Sequence, residues 1–256
     1  MLNLSMEVSC AAGLKSRSQV ARRVTEGWAS ANLFCAACTS DHIRAMPHSF
    51  QAIDFACPNC SAPFQLKAGR VWNERKVPDA GYHAMMRALA GDQVPNLLVL
   101  QYTADWHVQN LLIVPSFFFT PSAIEKRPPL SPTARRAGWI GCNILLSEIA
   151  DVGKIGIVAN GMATPASTVR ERYSTVRPLA NLNVQARGWT LDVLRLVRKL
   201  RKQRFSLSEA YDFAPELSRL HPNNNNVKPK IRQQLQILRD MGLLRFVSRG
   251  QYEVLG

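Results

Sequence analysis

The chain lacks any apolar segment long enough to cross a bilayer. Its longest apolar run, residues 111–119, is interrupted by Pro115 and Ser116 and falls far short of the roughly 20 residues that a membrane-spanning helix needs. The first residues, MLNLSMEVS, carry neither the basic stretch nor the continuous apolar stretch of a secretory signal. We therefore expect a cytoplasmic protein without a membrane anchor, in which thiols stay reduced.

Acidic residues are also scarce. The 256 residues include 18 Asp and Glu against 32 Lys and Arg, which gives a formal net charge of +14 and a pI near 10.0. Such an excess attracts polyanions, and nucleic acid is the favoured partner, although charge alone does not separate it from an anionic membrane surface. At this length and with 46% hydrophobic residues, we expect two folded domains, residues 1–182 and 183–256.

Cysteine is sparse but patterned. Four of the six cysteines form two CxxC pairs, Cys35/Cys38 and Cys57/Cys60, and 18 residues separate the pairs. Four thiolates at this spacing close one tetrahedral Zn²⁺ site. Disulfides are the alternative, but nothing else in the chain indicates secretion, so we predict structural zinc. We expect the two remaining cysteines to be core thiols: Cys10 and Cys142.

The first 180 or so residues mix helix and strand patterns. Apolar residues four positions apart predict a helix over 16–32, with Val20, Val24 and Trp28 on its buried stripe. A methionine and aromatic stripe predicts a second helix over 80–90. The predicted strands are 49–55, 63–68, 96–103, 108–114 and 154–160. This mixture favours an α/β sheet with helices at its flanks.

Residues 125–143 are rich in proline, arginine and glycine, and we expect a loop without regular structure there. Arg135 and Arg136 are residues that hold phosphates, and Trp139 can stack or wedge against bases, so the loop is a candidate DNA contact. A buried tryptophan on a solvated loop is the alternative.

From about residue 181 the pattern changes to three helices and a hairpin. Helices are expected over 189–202, over 206–220 and from residue 227 onward, and strands over 243–247 and 251–255. Ser206 and Glu209 have the spacing of a capping box. The order predicts a winged helix-turn-helix. The outward residues of its third helix are of the types that reach phosphates and base edges in a major groove: Lys228, Lys230, Arg232, Gln233 and Gln236.

Asp54, Gln65 and Lys67 lie beside the second cysteine pair. Because side chains alternate along a strand, we expect Gln65 and Lys67 to face one way while Phe64 and Leu66 face the core. An Asp followed by an acid or amide, any residue and a Lys is the pattern of PD-(D/E)xK nucleases. There a carboxylate holds Mg²⁺ against the scissile phosphate and a lysine orients or deprotonates the attacking water. Magnesium is therefore expected on Asp54 and Gln65.

Position 65 departs from that pattern, because it is a neutral glutamine where the pattern most often has Glu or Asp. The site loses one negative charge and should hold Mg²⁺ less firmly. Glu26, on the first predicted helix, is a candidate for the missing carboxylate, with a solvated surface role as the alternative. The short motif by itself is a weak signal, because such pairs occur by chance in many strands.

Over essentially its full length the chain resembles the Dam-replacing family of DpnI-like, methyl-directed type II restriction endonucleases. The most specific matches are residues 17–22 with Thr25, Glu26 and Trp28, the cysteine quartet around Asp54 and Phe55, and residues 132–144, 187–190 and 231–240. The resemblance implies a PD-(D/E)xK domain that holds zinc, followed by a winged-helix domain that also reads the methylated site. It places Asp54, Gln65 and Lys67 on the catalytic motif and Trp139 on the methyl-sensing loop.

The resemblance also implies an enzyme that cleaves double-stranded DNA at GATC when the adenine is N6-methylated, with Mg²⁺ as catalytic and Zn²⁺ as structural cofactor. We expect a monomer in solution. A catalytically silent reader of methylated DNA is the alternative, and Gln65 is the residue that keeps it open. The residues expected to contact DNA are Arg135, Arg136, Trp139, Lys228, Arg232 and Gln233.

Overall fold

The computed structural model describes residues 2–47 and 52–255. Its helices in these ranges are α1 (Arg17–Asn32), α2 (Tyr82–Ala90), α3 (Ala166–Val176), α4 (Val184–Lys199), α5 (Leu207–Tyr211), α6 (Ala214–Leu220) and α7 (Val227–Asp240). The strands are β1 (Arg44–Ala45), β2 (Phe55–Ala56), β3 (Pro63–Gly69), β4 (Lys76–Gly81), β5 (Asn96–Tyr102), β6 (Val108–Val114), β7 (Ile124–Pro129), β8 (Ile140–Leu145), β9 (Ile155–Ala159), β10 (Met162–Ala163), β11 (Arg204–Ser206), β12 (Leu244–Ser248) and β13 (Gln251–Val254). None of these helices is long and apolar enough to cross a membrane.

The chain divides into two compact units, each built from segments that are not consecutive. The first consists of Met1–Val77, Val94–Ser116 and Lys154–Ser174. Its seven strands form one mixed sheet in the order β1-β2-β3-β5-β6-β9-β10. β3 and β5 run parallel, and the other pairs run antiparallel. The near-continuous apolar run of β5 is buried from Asn96 to Leu100, as expected for a strand covered on both faces.

Helix α1 packs against β3 in this unit. Val24 and Trp28 are buried as predicted, whereas Val20 is half-buried. The indole Nε1 of Trp28 donates a hydrogen bond of 2.8 Å to the Asn3 carbonyl, which ties the N-terminal segment to the helix. The buried stripe therefore fixes the rotation of α1, and with it the direction of the polar residues on its other faces.

The strand predicted over 49–55 needs correction. Residues 49–51 lie outside the described residues, residues 52–54 are not in a strand, and β2 is limited to Phe55–Ala56. Ala52 has a φ of 60°, a left-handed conformation that interrupts an extended backbone. Helix α3 was not predicted. Its sequence, ASTVRERYSTV, is rich in β-branched residues, which are weak helix formers.

The second unit consists of Pro78–Gln93, Phe117–Gly153 and Thr175–Gly256, and it contains two three-stranded sheets, β4-β8-β7 and β11-β13-β12. The prediction that residues 125–143 lack regular structure is wrong for residues 125–129 and 140–143, because β7 and β8 pair antiparallel. Prolines 128 and 129 favoured a loop, but β7 is an edge strand, where a missing N–H is tolerated. Only the residues between Pro129 and Ile140 connect the strands.

The helix predicted over 206–220 is also wrong, since α5 and α6 are separate helices. Pro215 lies in the first turn of α6, and a proline there lacks the N–H that would continue the preceding helix. The capping box is confirmed: Ser206 Oγ accepts from Glu209 N at 3.2 Å, and Glu209 Oε2 accepts from Ser206 N at 2.7 Å. α7 is followed by the β12–β13 hairpin, as predicted.

Helix α4 forms the centre of the second unit. Its apolar face packs against α7, and Thr190 Oγ1 donates to Gln234 Oε1 of α7 at 2.6 Å in a fully buried contact. Three further buried polar residues of α4 pair with earlier segments of the same unit. The pairs are Arg187 with Asp92, Asp192 with Ser122 (2.8 Å) and Arg195 with Glu148 (2.7 Å).

Candidate functional site

The predicted cysteine quartet comes together in the first unit. The Sγ atoms of Cys35, Cys38, Cys57 and Cys60 all lie within 4.8 Å of one another, with 3.6 Å between Cys35 and Cys60 and 3.5 Å between Cys38 and Cys57. Four sulfurs bound tetrahedrally at about 2.3 Å from a zinc ion would lie about 3.8 Å apart. The donor set and spacing therefore fit one closed, structural zinc site.

Backbone N–H groups point at these sulfurs. Asn59 N and Cys60 N lie 3.4 and 3.5 Å from Cys57 Sγ, and Ser40 N lies 3.5 Å from Cys38 Sγ. Burial of the Cys57 thiol opposes its ionisation, but the N–H groups of Cys60 and Asn59, together with the thiols of Cys38 and Cys60, outweigh it and lower the pKa of Cys57 to about 6. Burial raises the pKa of Cys35, so a metal must displace its proton on binding.

Arg170 on α3 supports the first cysteine pair, and sequence reasoning did not find it. Its Nε donates to the Cys35 carbonyl at 3.1 Å, and one terminal nitrogen donates to the Ser40 carbonyl at 2.8 Å and to Asp41 Oδ1 at 3.0 Å. Its guanidinium also lies over the ring of Phe34. By donating hydrogen bonds to two carbonyls, the planar guanidinium stabilises the turn that carries Cys35 and Cys38. Arg170 is 135 residues from Cys35, so no local motif could have revealed it.

Asp54 directly precedes β2, and Gln65 and Lys67 lie on the neighbouring strand β3. Phe55 pairs with Phe64 and Ala56 with Pro63, so one further step of this register sets Asp54 opposite Gln65. Asp54 N donates to the Phe64 carbonyl at 2.9 Å, and Leu66 N donates to Asp54 Oδ2 at 2.8 Å. Opposed residues share a face, and so do alternate residues, which puts Asp54, Gln65 and Lys67 on one side of the sheet.

The environment of β3 differs from the prediction. Gln65 is buried, with 6% of its surface exposed, whereas Leu66 and Lys67 are half-buried. β3 is paired on both edges, by β2 and β5, and packs against α1. Leu66 is thus not the core residue that simple alternation predicts.

A cleft of about 760 Å³ opens beside Asp54. One wall is a face of α1 and the other is the chain around β1 and β2. The residues that line it include Cys10, Arg22, Arg23, Glu26, Ala45, Met46 and Asp54. The prediction that Cys10 is a core thiol is wrong, since it is exposed on this cleft; Cys142, by contrast, is buried as predicted.

The donors around the cleft suit a hard cation. One oxygen of Asp54 accepts the bond from Leu66 N, and a carboxylate can bind a metal through its other oxygen. Glu26 contributes a second carboxylate to the cleft, whereas Gln65 and Lys67 are not among the residues that line it. Oxygen donors of this kind are the ligands that Mg²⁺ prefers.

The loop between β7 and β8 carries the predicted DNA-contacting residues. Arg135 and Arg136 are exposed and Trp139 is half-buried. The Arg136 guanidinium lies 4.8 Å from the centroid of the Trp139 ring. That ring packs over two glycines, because a Cβ added at Gly141 would lie 2.9 Å from its Cζ3 and one at Gly81 would lie 3.5 Å from its Nε1. The indole is therefore held in a defined position beside a cation.

Helix α7 carries the second set of predicted DNA-contacting residues. Lys228, Arg232, Gln233 and Gln236 are exposed, as predicted, and Lys230 Nζ donates to Gln233 Oε1 at 2.9 Å. The opposite face of the helix is buried through Ile231, Leu235 and Leu238. The helix thus has one polar face of the composition that enters a major groove.

His221 has a structural role that no pattern in the sequence indicated. Its Nε2 lies 2.8 Å from Asp192 Oδ2, and its ring stacks on Trp189 with centroids 3.8 Å apart. Asp192 also accepts from Ser122. The histidine therefore joins the end of α6 to α4. Its partners lie 29 and 32 residues away in sequence, beyond any local pattern.

Comparison with known families gives two matches that cover nearly the whole chain. The model of the Dam-replacing family, DpnI, matches residues 2–182. The chain belongs to the Dam-replacing family. The model of the Dam-replacing HTH domain matches residues 185–254, so α4 to β13 form the helix-turn-helix domain of the family. The recognition made from the sequence is confirmed, whereas the individual site residues and the boundary at 182/183 stay predictions.

Proposed function

We propose that the protein is a Mg²⁺-dependent endonuclease that cuts double-stranded DNA at GATC sites carrying N6-methyladenine. Membership of the Dam-replacing family supports a methyl-directed restriction function. The observation that carries the catalytic part is the hydrogen bond from Leu66 N to Asp54, which fixes the carboxylate of Asp54 beside the strand of Gln65 and Lys67. A PD-(D/E)xK active site requires this juxtaposition.

Each motif residue has a proposed role. Asp54 would hold the metal, with Gln65 as a neutral ligand. Lys67 orients the attacking water or accepts its proton at Nζ. When bound, Mg²⁺ polarises the scissile phosphate and stabilises the charge that develops on it. Arg22 and Arg23, which line the same cleft, are placed to hold the neighbouring backbone phosphates.

DNA readout is proposed for the β7–β8 loop and for α7. In fully methylated GATC the two N6-methyl groups lie close together in the major groove, where an aromatic surface can bury them. Trp139 supplies such a surface in the loop, flanked by the cations Arg135 and Arg136. Lys228, Arg232 and Gln233 of α7 supply phosphate and base-edge contacts. If the β7–β8 loop and α7 both contact the methylated bases, the preference for methylated over unmethylated DNA is larger than if only one of them does.

Matched plasmids test the proposal. One plasmid is prepared from a host that methylates adenine in GATC and the other from a host that does not, and each is incubated with the protein and Mg²⁺. We expect the methylated plasmid to be cut to a GATC fragment pattern and the other to stay intact. Equal cutting of both would contradict methyl direction. Binding of methylated DNA without cutting, over a full range of Mg²⁺ concentrations, would support the silent reader instead.

The packing of Trp139 gives a second expected result. In Gly141→Ala the new Cβ would lie 2.9 Å from the indole, so the ring must leave its position. We expect the preference for methylated over unmethylated duplex to fall about tenfold, because burial of two methyl groups contributes about 1.6 kcal/mol at 0.8 kcal/mol each. Fluorescence anisotropy with both duplexes measures the ratio. The matched control is Gly156→Ala, where an added Cβ meets nothing within 4 Å; an unchanged ratio in Gly141→Ala would exclude Trp139 from methyl readout.

A further inference from the structure

The segment between β3 and β4, residues 70–75, exposes an apolar side chain to solvent. Val71 has 86% of its surface exposed, the largest fraction of any large hydrophobic residue in the described ranges. A single exposed apolar residue is common on protein surfaces and by itself indicates no partner. The side chains around Val71 therefore decide whether this position indicates one.

Cations lie on both sides of this apolar side chain. Arg70 and Arg75 are exposed, and so is Lys76 at the start of β4. With Glu74 as the only acid in the stretch, residues 70–76 carry three cations against one anion, a net charge of +2. This combination matches the backbone of DNA, in which charged phosphates alternate with the less polar deoxyribose rings. A duplex backbone therefore fits the segment better than a purely apolar partner does.

Hydrogen bonds to the main chain hold the segment in shape. Gln101 Nε2 on β5 donates to the Arg70 carbonyl at 3.2 Å. At the other end, Asn73 Oδ1 accepts from Arg75 N at 2.9 Å and from Lys76 N at 3.1 Å. These bonds engage the backbone of the cationic residues, while their side chains are exposed. The segment is thus ordered without burial of Val71, which lowers the entropic cost of binding a partner.

The segment continues directly from β3. That strand ends at Gly69, so Arg70 lies three residues beyond Lys67, at most about 10 Å along the chain. Each strand of duplex DNA carries one phosphate per about 3.4 Å of helix axis. A duplex whose scissile phosphate lies at Lys67 therefore brings its backbone to the segment within about three base pairs of the cut.

We propose that residues 70–75 bind the backbone of the duplex beside the cut, with Arg70 and Arg75 on phosphates and Val71 against the deoxyribose between them. Because the contact is to the backbone alone, it is independent of base sequence and of adenine methylation. This inference rests on the proposed nuclease function and extends it to the way the duplex is held beside β3. The alternative is a solvated loop that influences DNA affinity only through the net charge of the protein.

The salt dependence of binding tests the two arginines. Fluorescence anisotropy follows the full-length, zinc-loaded protein on a methylated GATC duplex without Mg²⁺ over a range of salt concentrations. We expect the double variant Arg70→Gln, Arg75→Gln to reduce the slope of log affinity against log salt by about 1.8, since each phosphate contact contributes about 0.9. Arg70→Lys, Arg75→Lys should keep the slope. The matched control Lys15→Gln, Arg172→Gln removes two exposed cations elsewhere in the same unit and should bind with the wild-type slope.

A second pair of variants tests the apolar contact. Val71→Asp should keep the melting temperature within about 2 °C of the wild type, because the side chain is exposed. We expect its affinity for methylated and for unmethylated duplex to fall by the same factor, about tenfold or more, because two methyl groups lose their burial and a carboxylate replaces them beside phosphates. Met162→Asp adds the same charge at a residue that is 70% exposed on β10, four strands from β3, and should bind within twofold of the wild type.

The outcomes separate this inference from the proposed function. Equal losses in the test variants and their matched controls would reduce the effect to net charge and overturn the inference. A loss confined to methylated duplex would assign Val71 to methyl readout and overturn the backbone contact. If the wild type cuts methylated plasmid while all loop variants keep its affinity and slope, the loop contact is refuted and the nuclease proposal survives. A wild type that binds neither duplex would refute the proposed function and this inference together.

Discussion

Lys67→Ala and Asp54→Asn should each reduce cleavage of methylated DNA about 10³-fold or more while affinity for that DNA changes little. Lys67 supplies a positioned proton acceptor, a contribution of about 10²- to 10⁴-fold, and Asp54 supplies the negative charge that holds the metal. Neither substitution removes a proposed base or phosphate contact. Asp54→Asn keeps an oxygen that can accept the 2.8 Å bond from Leu66 N, so the strand geometry should persist.

Single-turnover cleavage and equilibrium binding on one methylated duplex separate the two effects. Lys15→Ala and Asp105→Ala are suitable controls, because both residues are exposed in the same unit and lie outside the proposed site. A variant of Lys67 or Asp54 that cuts at a rate near that of the wild type would remove the residue from the catalytic assignment. Loss of binding in parallel with cleavage would instead indicate a structural role.

The second large effect is expected at the cysteine quartet. Cys57→Ser should abolish both zinc retention and cleavage. Cys57 follows β2 directly, and its backbone N donates to the Ala62 carbonyl at 2.9 Å, which closes the turn between Asp54 and β3. Metal analysis of the purified wild-type protein should give one zinc per chain. The melting temperature should fall by about 10 °C or more, since a loss of several kcal/mol lowers it by about 2–4 °C per kcal/mol in a chain of this size.

Cys10→Ser is the control for zinc retention, because Cys10 lies apart from the quartet and the variant should keep one zinc per chain. A folded, active wild-type preparation without zinc would refute the structural site. Full activity of Cys57→Ser with zinc still bound would show that three thiolates suffice.

The cysteine quartet and strand β3 were predictable from the sequence because the interactions that specify them are local. A CxxC pair defines a turn by itself, and β3 has the alternation of a strand. The burial of Gln65 was not predictable, because it depends on β5 and α1, which reach β3 from distant parts of the sequence. Arg170 and His221 were missed for the same reason, since each acts on partners far away in the chain.

The β7–β8 hairpin shows a different limit. The individual conformational preferences of its prolines, arginines and glycines predict a loop. The preference is overridden because β7 needs N–H donors on one edge only, and β8 supplies the pairing. Whether a strand lies at the edge of a sheet depends on how the whole sheet assembles, so the edge position of β7 could not be predicted from local residue preferences.

The buried pairs of α4 limit how this protein can exchange parts during evolution. Arg187 is 5% exposed at its side chain and pairs with Asp92, and Asp192 accepts from Ser122. Both partners precede the helix-turn-helix segment, so a recombination event at residue 183 would separate the buried Arg187 from the exposed Asp92 and the buried Asp192 from the hydroxyl of Ser122. A buried polar group left without its partner costs about 1–3 kcal/mol, a noticeable part of the stability of a typical domain. A foreign DNA-reading segment could therefore be inherited successfully only together with the stretches around residues 92 and 122.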